Sequence, residues 1–101
     1  MGMVKRFDVY LCDMYSKLRP CVILSPDEMN TALPYVLMAP ITTNERLFPS
    51  RVGIRLKGRQ GQVALDMMRT VLQSSLKEKI GTLPENTRVE ISDILKRMFT
   101  I

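Results

Sequence analysis

Arg19 comes directly before Pro20 and the apolar run Cys21-Val22-Ile23-Leu24. A charged residue at the entrance of what reads as a buried strand has its stem held by the sheet and its head left at the rim. Arginine in that position suits a phosphate, because its planar fork meets two oxygens at once and keeps its charge at any working pH. It suits equally a rim ion pair with Asp13 or Glu28. The sequence also offers a basic row made of Arg51, Arg55, Lys57 and Arg59. There is no histidine. The commonest acid and base at neutral pH is therefore missing, and with it Ser-His-Asp sites, Cys-His sites and most zinc sites. Neither a P-loop nor a dinucleotide-binding glycine pattern occurs. The two cysteines, Cys12 and Cys21, fall in apolar segments and read as small buried hydrophobes in a reducing cytoplasm. Neither a metal site nor a cofactor site is legible. Cleavage of an RNA phosphodiester fits what remains. The 2′-hydroxyl is its own nucleophile, a cation can sit on the phosphate, and a carboxylate can take the proton.

The chain that must hold these groups has 101 residues, which favours one domain over 1–101. Its core is small enough to gain from a partner subunit. The net charge is +5, which fits a polyanionic partner, nucleic acid before membrane. No run of ~18 apolar residues spans a bilayer. The N-terminus lacks the apolar stretch of a signal peptide, and Arg6 stands where a myristoylation motif after Gly2 needs Ser or Thr.

Hydrophobic patterning gives mostly strands. Residues 7–12 form the first, and 20–25 the second with Pro20 at its first position. Residues 26–34 form a loop with at most one helical turn. Residues 35–41 form a third strand, with Pro40 marking an edge or a bulge. Residues 42–50 are a polar, mobile loop. In 51–57 apolar and basic residues alternate, Val52, Ile54 and Leu56 against Arg51, Arg55 and Lys57. A turn over 58–61 leads into a returning strand at 62–66, and a short strand covers 69–73. Residues 74–83 read as a connector. Thr82 and Glu85 match a capping box. Ile91, Ile94, Leu95 and Met98 then mark one face of a closing helix, with Lys96 and Arg97 at its C-terminal end. Tyr10, Tyr15 and Tyr35 offer rings on which bases can stack. Tyr10 and Tyr35 also suit a core or an interface.

The order of these segments resembles the MazF/PemK family of toxins. The resemblance rests on "KRFDVYL", on "RPCVILS", on "APITTNERLFP", on "VALDMMRTV" and on "KIGTLPENTRVEISDILKRM", and spans nearly the whole chain. It implies a mainly β protein, an SH3-like antiparallel barrel or sheet closed by a C-terminal helix. It also implies a homodimeric, cytoplasmic endoribonuclease that cleaves single-stranded RNA without a metal, leaves a 2′,3′-cyclic phosphate and is neutralised by a cognate acidic antitoxin. By position the resemblance makes Arg19 and Thr42 catalytic and Asp66 a general base. Ala64 stands where the branch that uses this base has an arginine. Thr43, Asn44 and Arg46 are expected RNA contacts, and so is Arg55 of the basic row, which is also what any solvated strand face looks like. Only Met14–Leu18 separates Asp13 from Arg19, a shorter loop than the family usually carries, and Phe7 stands where the family often has Gly. The short loop also resembles a sister group, the CcdB gyrase poisons, which lack nuclease activity and act through an aromatic C-terminus. Met98, Phe99 and Ile101 echo that ending without its tryptophan. A third reading is an RNA-binding barrel without activity.

Overall fold

The computed structural model describes residues 3–100. Gly2 and Ile101, which bear on the myristoylation and gyrase-poison readings, lie outside the described residues. Seven antiparallel strands build one curled sheet: β1 (Asp8–Met14), β2 (Lys17–Ile23), β3 (Tyr35–Thr42), β4 (Arg51–Leu56), β5 (Arg59–Ala64), β6 (Arg69–Leu72) and β7 (Leu76–Thr82). A short helix, α1 (Asp27–Ala32), joins β2 to β3, and α2 (Glu85–Phe99) ends the chain. The strands run in the order β4-β5-β3-β2-β1-β7, with β6 on the first half of β3. The mainly β architecture with a closing helix is the one expected. Among the described residues no helix is long and apolar enough to cross a membrane.

The period of two sorts the apolar residues onto two faces. Val9, Val22, Leu24, Ala39, Val52 and Val63 form one core with Leu65, Leu83 and the α2 residues Ile91 and Ile94. Val4, Cys12, Met14, Cys21, Ile23, Val36 and Met38 form a second on the opposite face. Both faces of β1–β3 are therefore covered, which is why Cys21–Leu24 is continuously apolar rather than alternating. Each fully buried Ile contributes about 2 kcal/mol to this packing.

Several local expectations change. β2 begins at Lys17, so Arg19 and Pro20 lie inside the strand, opposite Cys12 and Leu11. The ladder to β3 starts only at Cys21, opposite Pro40, so on that side no acceptor waits for the N–H that Pro20 lacks. Pro40 falls where β3 exchanges partners. Residues 35–38 pair with β6, and Ile41 and Thr42 pair with β5. The second hairpin turns at Lys57-Gly58, not at 58–61. Leu56 pairs with Arg59, and the two loop residues have φ of 49° and 79°. This is the doubly left-handed turn that matches strand twist. The segment read as a connector is β7, which pairs with β1. Thr82 ends that strand and does not cap α2. Its hydroxyl donates to Asp8 Oδ1 at 3.1 Å, and Pro84 occupies the N-cap position. Residues 27–32 make a full short helix. Phe7, at the position where the resembled family favours Gly, adopts φ 72°. The strain is held by backbone bonds from Phe7 N to Ile23 O and from Leu83 N to Phe7 O.

Candidate functional site

The exchange of partners at Pro40 opens the sheet. Beyond Pro40, β3 peels from β2 toward β5, and residues 17–20 of β2 are left without a neighbour on that side. Two adjoining clefts occupy the gap. The first, about 360 Å³, is lined by Arg19, Thr42, Thr43, Lys57, Arg59 and Gln60 over an apolar floor that includes Leu11, Ile41 and Ile80. The second, about 340 Å³, is lined by Tyr15, Met67 and Arg69 and shares Arg19, Ile41 and Thr42 with the first. Among the described residues no carboxylate lines either cleft.

Arg19 is exposed, and among the described residues it makes no ion pair. The rim pairing with Asp13 or Glu28 does not form. Its stem rises from a strand that is fully buried from Cys21 to Ile23, so a solvated cation stands on a rigid base. Thr42 is the last residue of β3. Its hydroxyl accepts the backbone N–H of Asn44 at 3.0 Å and keeps its own O–H to donate. Gly61 allows β5 to approach beneath it, since a Cβ there would meet Ile41 Cγ2 at 3.2 Å and the Thr42 carbonyl oxygen at 3.3 Å.

The structure brings Arg19, Thr42 and Thr43 together with Lys57 and Arg59 of the basic row and with Tyr15, and leaves Asp66, Asn44, Arg46, Arg51 and Arg55 outside the clefts. Asp66 sits on a single 3₁₀ turn after β5 and is engaged by Arg51, with Nε at 2.8 Å from Oδ1 and Nη2 at 3.2 Å from Oδ2. Ser50 Oγ donates to the same carboxylate at 2.8 Å. The Arg51 guanidinium, helped by Ser50, holds the Asp66 carboxyl below the usual carboxylate range. That favours a standing anion over a proton acceptor. Asn44 and Arg46 bond within their own loop, with Arg46 Nη1 donating to Asn44 Oδ1 at 3.0 Å. Gln62 then clamps the Arg46 backbone through both N–H and C=O. The loop expected to be mobile is thus tied to β5. Arg55 donates to the Gly58 carbonyl and braces the hairpin. Burial pushes the Cys21 thiol up to about 12 and raises Cys12 as well, so neither thiol supplies a nucleophile at neutral pH.

Sequence reasoning passed over Arg69 and Met67. Both lie in "VALDMMRTV", and Arg69 opens β6 directly opposite Met38. An arginine opening a strand was the available signal, as it was for Arg19.

Comparison with known proteins places this geometry. Residues 5–99 match the family described as PemK-like, MazF-like toxin of type II toxin-antitoxin system. The endoribonuclease MazF of Staphylococcus epidermidis is 32% identical over 106 aligned positions, covering 92% of this chain and 88% of that protein. Among solved structures, an endoribonuclease in complex with its cognate antitoxin from a mycobacterial species superposes with a TM-score of 0.85 at 25% identity. That superposition covers 93% of this chain and 92% of the other. The MazE–MazF complex of Deinococcus radiodurans gives 0.86 at 19% identity, over 100% and 99% of the two chains, and speaks for the fold. Nearly the whole chain is spanned by the family match and by a relative above 30% identity, and on that ground it belongs to the PemK-like, MazF-like toxins of type II toxin–antitoxin systems.

Proposed function

We propose that the protein acts as one domain, as an endoribonuclease toxin that cleaves single-stranded RNA in the cytoplasm, with Arg19 and Thr42 at the reacting phosphate. The observation that carries this reading is the cleft itself. Among the described residues, a cation without a carboxylate partner and a hydroxyl free to donate share one opening lined by no acidic group. In the reaction the 2′-oxygen attacks phosphorus, the bond to the 5′-oxygen breaks, and negative charge gathers on the non-bridging oxygens. Arg19 meets that charge with its fork. Thr42 donates a hydrogen bond to one of the same oxygens and orients the phosphate. Among the described residues no carboxylate lines the cleft, and the chain has no histidine, so in this reading the 2′-hydroxyl proton leaves to solvent and the departing 5′-oxygen takes one from solvent. Asp66 is a positioning residue. Through Arg51 it anchors the loop that follows Thr42.

Long single-stranded RNA incubated with the pure protein in EDTA should yield fragments ending in 2′,3′-cyclic phosphate and 5′-hydroxyl. The rate should lack the bell-shaped dependence near neutral pH that a histidine pair gives. Arg19→Ala should slow cleavage ~100-fold or more, since a phosphate-stabilising charge contributes a few kcal/mol to the transition state. Arg19→Lys should restore only part, because a point charge loses the two-point contact. Thr42→Ala should cost less than Arg19→Ala. Full activity in Arg19→Ala overturns the assignment. The gyrase-poison alternative finds no support in the matched family.

We infer further that the protein is a homodimer neutralised by an acidic antitoxin. The solved relatives include toxin–antitoxin complexes. The chain itself leaves Leu47, Phe48, Leu72, Val89 and Phe99 exposed, more apolar surface than an isolated small domain needs. Sedimentation equilibrium at tens of micromolar should return the dimer mass, in the range set by ~8 kcal/mol of association. A monomer there rules the dimer out.

A further inference from the structure

The β1–β2 turn consists of two residues, Tyr15 and Ser16, between the paired Met14 and Lys17. Both adopt left-handed backbone, with φ of 52° and 65°. Asn-Gly is the ordinary choice for such a turn, and an aromatic residue in that conformation is strained. The ring gains nothing from the core, because Tyr15 is 83% exposed. It is nevertheless fixed. Arg69 Nη1 donates to the Tyr15 hydroxyl at 3.0 Å, and the Arg69 guanidinium lies 5.5 Å from the ring centroid. Tyr15, in the β1–β2 turn, and Arg69, at the start of β6, are distant in the chain and meet at the second cleft. Met67 is exposed on the same wall, and Arg19 and Thr42 are shared with the first cleft.

A strained, exposed and clamped aromatic ring beside a phosphate-binding arginine has the form of a stacking platform. We propose that Tyr15, held by Arg69, stacks the base of the nucleotide adjoining the phosphate at Arg19, so that the second cleft is a nucleobase subsite. The proposal rests on the RNA-cleavage reading and deepens it. Cationic and aromatic groups together are what single-stranded nucleic acid binding uses, the cations following the backbone and the rings taking the bases. Here the division is spatial. The first cleft holds Lys57 and Arg59 for phosphates on one side of Arg19, and the second holds Tyr15 for a base on the other. The short turn that replaces a longer loop brings the ring to the cleft edge and positions it without a covering segment.

The test separates binding from cutting. The affinity of the full-length protein for a single-stranded RNA oligonucleotide is measured by fluorescence anisotropy, which needs no cleavage, in the Arg19→Ala background and in that background with changes at Tyr15. Tyr15→Ala should weaken binding about 10- to 100-fold, the range that loss of base–aromatic stacking gives. Tyr15→Phe should stay within ~3-fold, since the ring remains. Tyr15→Asn, which suits the left-handed turn, should match Tyr15→Ala, and agreement between the two excludes a folding defect. In the active protein Tyr15→Ala should raise KM with kcat little changed. An abasic residue walked along the oligonucleotide should weaken the wild-type side chain's binding at one position beside the cut and have no such effect with Tyr15→Ala. Binding within 2-fold in both Tyr15→Ala and Tyr15→Asn overturns the platform whatever the cleavage assay returns. Full cleavage by Arg19→Ala with weakened binding by Tyr15→Ala instead overturns the catalytic assignment and leaves the platform standing.

Discussion

Arg19 and Asp66 carry opposite lessons about charged side chains. Asp66 reads as chemistry in the sequence, yet its carboxylate is held by Arg51 in a two-point contact, and Arg51 also lies over Phe48 with its carbon 5.2 Å from the ring centroid. The Arg51 side chain is only 7% exposed and that of Asp66 33%, so the pair sits between the weak surface case and the costly buried one. Its pH dependence follows from the depressed native pKa. The unfolded carboxyl titrates at about 3.9. The pair therefore stabilises the fold above that value, and its contribution fades as pH falls from there through the lower native value. Asp66→Asn should cost about 1 kcal/mol at pH 7 in urea unfolding, the upper end for a partly exposed bidentate pair. The gap to wild type should close as pH drops below about 4. A gap that stays constant down to that acidity means the ion pair is not its source. Cleavage by Asp66→Asn should persist under the proposed assignment, in which the residue positions the loop and takes no proton. Arg19 has no such partner, and a cation kept solvated on a rigid strand is the more informative signal for a phosphate site.

At the scale of elements, the sequence spoke clearly wherever one face of a segment is buried and the other wet. β4 alternates and was legible residue by residue. α2 shows its buried face through Ile91 and Ile94. β7 was illegible because it is an edge strand. Lys77, Glu78 and Lys79 are exposed in succession, so no period of two survives to mark it, and charged residues are what blunt a sheet edge. What fixes β7 is a contact between distant residues. Asp8 is 2% exposed and accepts from Thr82 Oγ1, from Lys79 Nζ at 3.3 Å and from the Lys5 backbone N–H at 3.0 Å. The capping box failed for the same reason. Thr82 satisfied its local rule for starting a helix, but the buried carboxylate of Asp8 claimed its hydroxyl first. The turns misled in a related way. Gly58 and Gly61 look alike in sequence, yet one supplies a positive φ and the other supplies room for the Thr42 backbone. The candidate site shows the same division. Arg19 was legible as a residue type before a proline, and Thr42 only through the family resemblance. Lys57 and Arg59 were legible as part of a basic row and Tyr15 as a ring for stacking, but these and Arg69 converged on one site only when the partner exchange at Pro40 folded β5 and β6 around the gap.

The whole molecule carries a charge of +5, and the clefts concentrate it. Arg19, Lys57, Arg59 and Arg69 line them with no acidic residue between, while Asp8 and Asp66 are occupied elsewhere by Lys79 and Arg51. A groove of one sign focuses its field on a polyanion. On the proposed reading, RNA and an acidic antitoxin would meet this same surface, and neutralisation would be competition for these cations. The number of cations that meet phosphates can be counted from salt dependence, because each releases a counterion from the nucleic acid. If all four engage single-stranded RNA, the logarithm of affinity should fall with the logarithm of salt at a slope of about −2.8 per protomer, taking about −0.7 for each phosphate contact. Arg59→Ala should reduce the slope by about 0.7. Tyr15→Ala should lower affinity at every salt concentration and leave the slope unchanged, since a stacked ring displaces no counterion. An acidic antitoxin peptide should release the protein as salt rises and lose affinity on Arg19→Glu. A flat salt dependence for RNA, or a slope untouched by Arg59→Ala, would place the nucleic acid on some other face of the molecule.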